Sequence, residues 1–96
     1  MTDQRDTVDQ PYVDKVIEEF NRVPVGDKQR NYEGYRLTCR LMSAFRGARE
    51  PVRTLLDTVF TDDKMRHRMD GYIKSSSDWY HQKIKSERIL KVVKGA

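Results

Sequence analysis

A chain of 96 residues that is 36% hydrophobic and 35% charged has room for one small domain and little core to spare for a deep catalytic cleft. No apolar run approaches the ~18 residues of a membrane span, and the polar, acidic opening MTDQRDTVDQ is not a secretory signal, so a cytoplasmic protein is expected. The net charge of +4 is unevenly spread: residues 1–27 hold three Lys or Arg against seven Asp or Glu, a balance of −4, and residues 28–96 carry +8.

Residues 1–9 read as a disordered N-terminal tail, polar and charged with Val8 as the only apolar residue after Met1. Residues 10–96 read as a single helical domain. The first helix is signed by Pro11 in a first-turn position, with Asp9 or Gln10 as cap. Val13, Val16, Ile17 and Phe20 follow at i, i+3, i+4 and i+7, one apolar face. The helix ends in NRVPVGD, because a residue preceding proline avoids helical angles and Gly26 follows.

The second helix is expected from Lys28 or Asn31 to Arg46. Tyr35, Thr38, Leu41, Met42 and Phe45 share one side, with Leu37 and Ala44 at its edge. Arg36 and Arg40 fall on the opposite side beside Glu33 and read as a solvent-facing pair. Gly47 suits a C-terminal cap. The third helix begins at Pro51 and ends near Thr61, with Val52, Leu55, Leu56, Val59 and Phe60 on its apolar face.

TDDKM reads as a fresh helix start: Thr61 as cap, Asp62 and Asp63 where the helix dipole favours negative charge. No proline interrupts the chain from there to Val93. Met65, Met69, Tyr72, Ser76, Trp79, Lys83, Ser86, Leu90 and Val93 are spaced alternately four and three, a heptad seam weakened by its polar members. Met65, Met69, Tyr72, Ser76, Trp79 and Tyr80 cluster on one side, which gives Trp79 a core role. Ile89, Leu90, Val92 and Val93 fall roughly 110° away at 100° per residue. The helix therefore either breaks around Ser75–Ser77 or covers something beyond its own core with its tail. Nothing reads as strand. The expected class is all-α: a small helical bundle of three short helices plus a long or kinked C-terminal helix.

The stretch SSSDWYHQK holds serine, aspartate and histidine, the residue types of a hydrolytic triad. On a helix, Ser77 and Asp78 both lie one turn before His81 and crowd one side of its ring, whereas a triad places its partners at opposite ring nitrogens. No nucleophile elbow accompanies them. A capped helix restart explains the same letters. His67 and His81 are roughly 21 Å apart along a helix and share no ion. Cys39, the single cysteine, forms no internal disulfide and completes no metal-ligand pair. RGARE lacks the Lys-Ser/Thr of a phosphate loop. No enzyme activity and no cofactor or metal is expected.

Two binding readings remain. The first is a non-enzymatic interaction module, an adaptor, regulator or inhibitor. It binds a protein partner and self-associates through the C-terminal helix, most simply as a dimer, on Tyr72, Trp79, Ile89, Leu90 and Val93. The alternative is a basic nucleic-acid-binding protein using Lys and Arg between residues 64 and 94. Its contacts, to nucleic acid or to an acidic partner, would be Arg66, Arg68, Lys83, Lys85, Arg88 and Lys91.

Overall fold

The computed structural model describes residues 8–95, with side chains through Glu87. It contains four helices: α1 (Gln10–Asn21), α2 (Arg30–Ala44), α3 (Arg49–Val59) and α4 (Asp63–Gly95). Among the described residues there is no strand. The chain is all-α, a small bundle of three short helices and one long one.

Asp9 caps α1, its carboxylate accepting from the Tyr12 amide at 3.1 Å, and Pro11 occupies the first turn. Val13, Val16 and Phe20 are buried and Ile17 is half-buried. Val8, assigned by its sequence context to the tail, packs against the core; residues 1–7 of that tail lie outside the described residues.

α2 buries Gly34, Leu37, Thr38, Leu41 and Met42. That face differs from the expected one, which counted Tyr35 and Phe45 as members and Leu37 as edge: Leu37 is buried, and Tyr35 and Phe45 are half-buried. Gly34 lets α4 approach, because a Cβ there would collide with the Met65 methyl. α2 packs against every other helix and is the centre of the bundle. The expected solvent-facing arginine pair is divided. Arg36 is exposed beside Glu33. Arg40 turns onto α1 instead, 2.9 Å from Glu19 and in hydrogen-bond contact with Tyr12.

The exit from α2 closes with two bonds, Gly47 N–H to Met42 C=O at 2.8 Å and Arg46 N–H to Ser43 C=O at 3.1 Å, the Schellman pattern. The left-handed residue that usually is glycine in this motif is here Arg46 (φ 55°), and Gly47 follows at φ 84°. Gly47 thus takes part in the cap as expected, one position later than the usual glycine.

α3 starts two residues before Pro51, and its core face is Val52, Leu56 and Val59, followed by fully buried Phe60. Phe60 packs between Phe20 and Tyr72, ring centroids 5.4 and 6.1 Å away. The start of α4 is capped by Asp62, whose carboxylate accepts from the Met65 amide at 3.3 Å; the expected cap, Thr61, is exposed. Asp62 also holds Arg30. Arg30 is only 7% exposed. It donates to Val23 C=O at 2.7 Å and lies over the Phe20 ring with its guanidinium carbon 4.3 Å from the centroid. One buried cation thereby ties the α1–α2 loop to the first turns of α2 and α4.

α4 runs unbroken for 33 residues. The alternatives of a kink or a restart at Ser75–Ser77 give way to one helix. At 1.5 Å per residue it is about 50 Å long, and it sets the long axis of a molecule measuring 51 × 33 × 20 Å.

Candidate interaction surface on α4

The half of α4 that packs on the bundle does so through Met65, Met69, Ile73, Ser76 and Ser77, all buried, with Tyr72 and Tyr80 packed against the same core. Ser76 and Ser77 are fully buried. A buried hydroxyl needs a partner, and each finds one. Ser76 Oγ donates to the Ile73 carbonyl at 3.1 Å, and Ser77 Oγ accepts from Arg49 Nε at 3.2 Å. The serine run is therefore a seat for the start of α3, not a hinge. Ser77 is sealed from solvent, and His81 is exposed with its ring edge-on to Tyr80.

Trp79, expected in the core, is 40% exposed. The reason is phase. The stripe through Met65, Met69, Ile73, Ser76 and Tyr80 takes Tyr80 inward, and Trp79 sits about 100° from it. Lys83 Nζ lies 5.4 Å from the Trp79 ring centroid, within cation–π range. The last described residue of α4 packed against the core is Tyr80, close to Gly47; Ile84, one turn on, is half-buried. Beyond them the described side chains, Lys85, Ser86 and Glu87, are exposed, while the helix continues to Gly95.

The residues assigned to an interface from sequence are thus divided. Tyr72 is held within its own chain: its ring lies 6.0 Å from Tyr35, and its hydroxyl donates to the Asn31 side-chain and main-chain oxygens. Trp79 faces outward. The side chains of Ile89, Leu90 and Val93 lie outside the described residues.

The basic candidates divide in the same way. Arg66 is engaged by Asp57, at 2.6 Å, and by the Asp57 and Phe60 carbonyls. Lys83 leans on Trp79, Lys85 is exposed and Arg68 is half-buried. The side chains of Arg88 and Lys91 lie outside the described residues. Lys64 and Lys74, inside the basic stretch 64–94 but not among the six named contacts, are exposed on the same helix. The signal that reveals them is the buried stripe itself: once Met65, Ile73 and Tyr80 fix the inward direction, the outward positions follow from the helical repeat.

Titration is shifted at Glu19 on α1 and at Cys39 and Arg40 on α2. The hydrogen bond from Arg40 holds the Glu19 carboxyl below its ordinary range, and the same bond pushes Arg40 up. Burial pushes the Cys39 thiol up, with its hydrogen bond to Tyr35 partly opposing, which leaves Cys39 protonated and weakly nucleophilic at neutral pH. Among the described residues no cluster of His, Cys, Asp and Glu has the geometry to hold a metal ion, and no helix is long and apolar enough to cross a membrane.

No protein-family model, no curated protein and no solved structure matches the chain.

Proposed function

We propose that the protein is a non-enzymatic helical interaction module that binds a protein partner and pairs with a second copy through α4. The observation that carries this reading is the departure of α4 from the bundle. The helix stays continuous to Gly95 after Tyr80, its last described residue packed against the core, and Trp79 is exposed just before that point. By the helical repeat Leu90 and Val93 fall within about 40° of Trp79. A strip led by an exposed tryptophan is the composition of an association surface, where aromatic side chains dominate the binding energy.

The test is sedimentation velocity on the full chain, on Trp79→Ala, and on a chain ending at Ser86. The full chain assembles at micromolar concentration. The shortened chain, which keeps every described core residue, sediments as a monomer with its thermal melt intact, and Trp79→Ala weakens assembly. A full chain that stays monomeric at high micromolar concentration refutes self-association. A shortened chain that loses helicity throughout the bundle assigns the tail to the core instead.

A further inference from the structure

The excess positive charge of the molecule resides in α4. Residues 63–95 contain nine Lys or Arg against four Asp or Glu, a net +5, so the remaining residues together carry −1. The fold then sorts those charges by direction. On the side facing α3 they are matched: Arg66 with Asp57 and Asp70 with Arg53, each at 2.6 Å. On the outward side they are not. At 100° per residue, Lys64, Arg68, Lys74 and Lys85 fall within an arc of about 120°. Among the described residues none of the four forms an ion pair. In the same arc residues 64–87 include a single acid, Asp78; the other members are His67, Gly71, Ser75, Gln82 and Ser86.

From this we propose that the outward face of α4, through Lys64, Arg68, Lys74 and Lys85, binds the phosphate backbone of duplex nucleic acid. The four cations stand on one straight helix, so their spacing is fixed before any ligand arrives. Lys64 and Lys85 are separated by about 31 Å along the axis, close to the ~34 Å of one duplex turn. A rigid row of that length suits a rigid polyanion. Single strands are held instead by rows of stacking aromatics. Here Tyr72 and Tyr80 pack against the core, and Trp79 stands alone, about a quarter turn from the centre of the cation arc. The contacts are to phosphate, so the binding is independent of sequence. The face adjoins the Trp79 strip, which it meets at Arg68 about 20° from Trp79, and this inference does not depend on the self-association proposed above.

Fluorescence anisotropy with a labelled 24-base-pair duplex of mixed sequence tests it on the full chain. Four neutralised phosphates give a log–log salt slope near −3.6, so affinity falls ~150-fold between 50 and 200 mM salt. Each of Lys64→Gln, Lys74→Gln and Lys85→Gln lowers the slope by ~0.9, while Lys15→Gln, exposed on a different helix, α1, leaves it unchanged. Circular dichroism of every variant confirms the fold. No binding at 50 mM salt overturns the proposal, as does a loss from Lys15→Gln equal to that from Lys74→Gln. A single strand that binds more tightly than the duplex overturns the choice of ligand, and so does polyglutamate that displaces the duplex at equal charge concentration; the latter result assigns the face to an acidic protein.

Discussion

Two adjacent substitutions in the α2–α3 turn should move stability in opposite directions. Arg46 has a φ of 55° and Gly47 a φ of 84°, the left-handed region that costs an ordinary residue roughly 1–2 kcal/mol. Arg46→Gly removes that cost but adds conformational freedom to the unfolded chain, and the net gain is about 0.5–1 kcal/mol. Gly47→Ala introduces the cost, and more: the new Cβ would stand 3.0 and 3.1 Å from the Tyr80 ring carbons. The ring has to yield by a few tenths of an ångström within packed surroundings, and the lower freedom of alanine in the unfolded chain offsets about 0.5–1 kcal/mol, so the net loss is about 1–2 kcal/mol. Urea unfolding followed by circular dichroism reads both. With a slope near 1 kcal/mol/M, the midpoint rises by about 0.5–1 M in the first variant and falls by about 1–2 M in the second. Because a Cβ at position 47 would meet both Tyr80 and His81, the second variant also loosens the place where α4 leaves the bundle. Midpoints that shift together, or a Gly47→Ala protein as stable as its parent, refute this account of the turn.

Arg30→Met should destabilise the domain by about 2–3 kcal/mol, because it deletes the buried bonds to Val23 and Asp62; a thermal melt unchanged by the substitution would show that hydrophobic packing on Phe20 is all that Arg30 provides. Glu19→Gln should flatten the acid limb of the stability–pH curve. The folded-state pKa of Glu19 is depressed by Arg40, so its contribution is complete above the ordinary carboxylate range and is lost as pH falls through the depressed value; identical acid limbs for the variant and its parent would contradict it.

Elements with a strong local signature were legible in the sequence, and those decided by partners distant in the chain were not. The i, i+3, i+4, i+7 runs of α1 and α3 name their own buried faces, since each helix has a single apolar stripe. The face of α2 differs from the expected one because its stripe takes in Gly34, buried where Met65 approaches it, a position that hydrophobic periodicity does not mark. In α4 the alternate spacing by four and three chose Tyr72 and Trp79 over Ile73 and Tyr80. A coiled-coil period of 3.5 drifts away from a straight helix with 3.6 residues per turn, and over four turns the drift is enough to exchange an inward tryptophan for an outward one. The serine run misled for a different reason. Serine weakens an isolated helix by competing for backbone bonds, but the sequence around Ser77 does not reveal that Arg49, 28 positions earlier, arrives to satisfy it. Charge was the most deceptive signal: Arg66 and Arg68 are two positions apart, and only Arg66 meets an aspartate.

The continuity of α4 bears on how well such a surface can bind. A short helix in water is marginal because its first turn is costly to nucleate, whereas adding residues to an existing helix is close to neutral. In α4 the nucleus is supplied by the half that Met65, Met69 and Ile73 anchor, so the turns beyond Ile84 need only to propagate. A partner meeting this helix does not have to order it first, and ordering is among the larger costs of association. The two surfaces of α4 gain from this unequally. The Trp79 strip relies on a few desolvated contacts, and there pre-ordering acts chiefly on the dissociation rate. The lysine and arginine row relies on the spacing of its cations along the axis, and a break at Ser75–Ser77 would have separated Lys64, Arg68 and Lys74 from Lys85. The buried seat that Ser77 makes for Arg49 therefore lies within the stretch of helix that holds those four charges in one line.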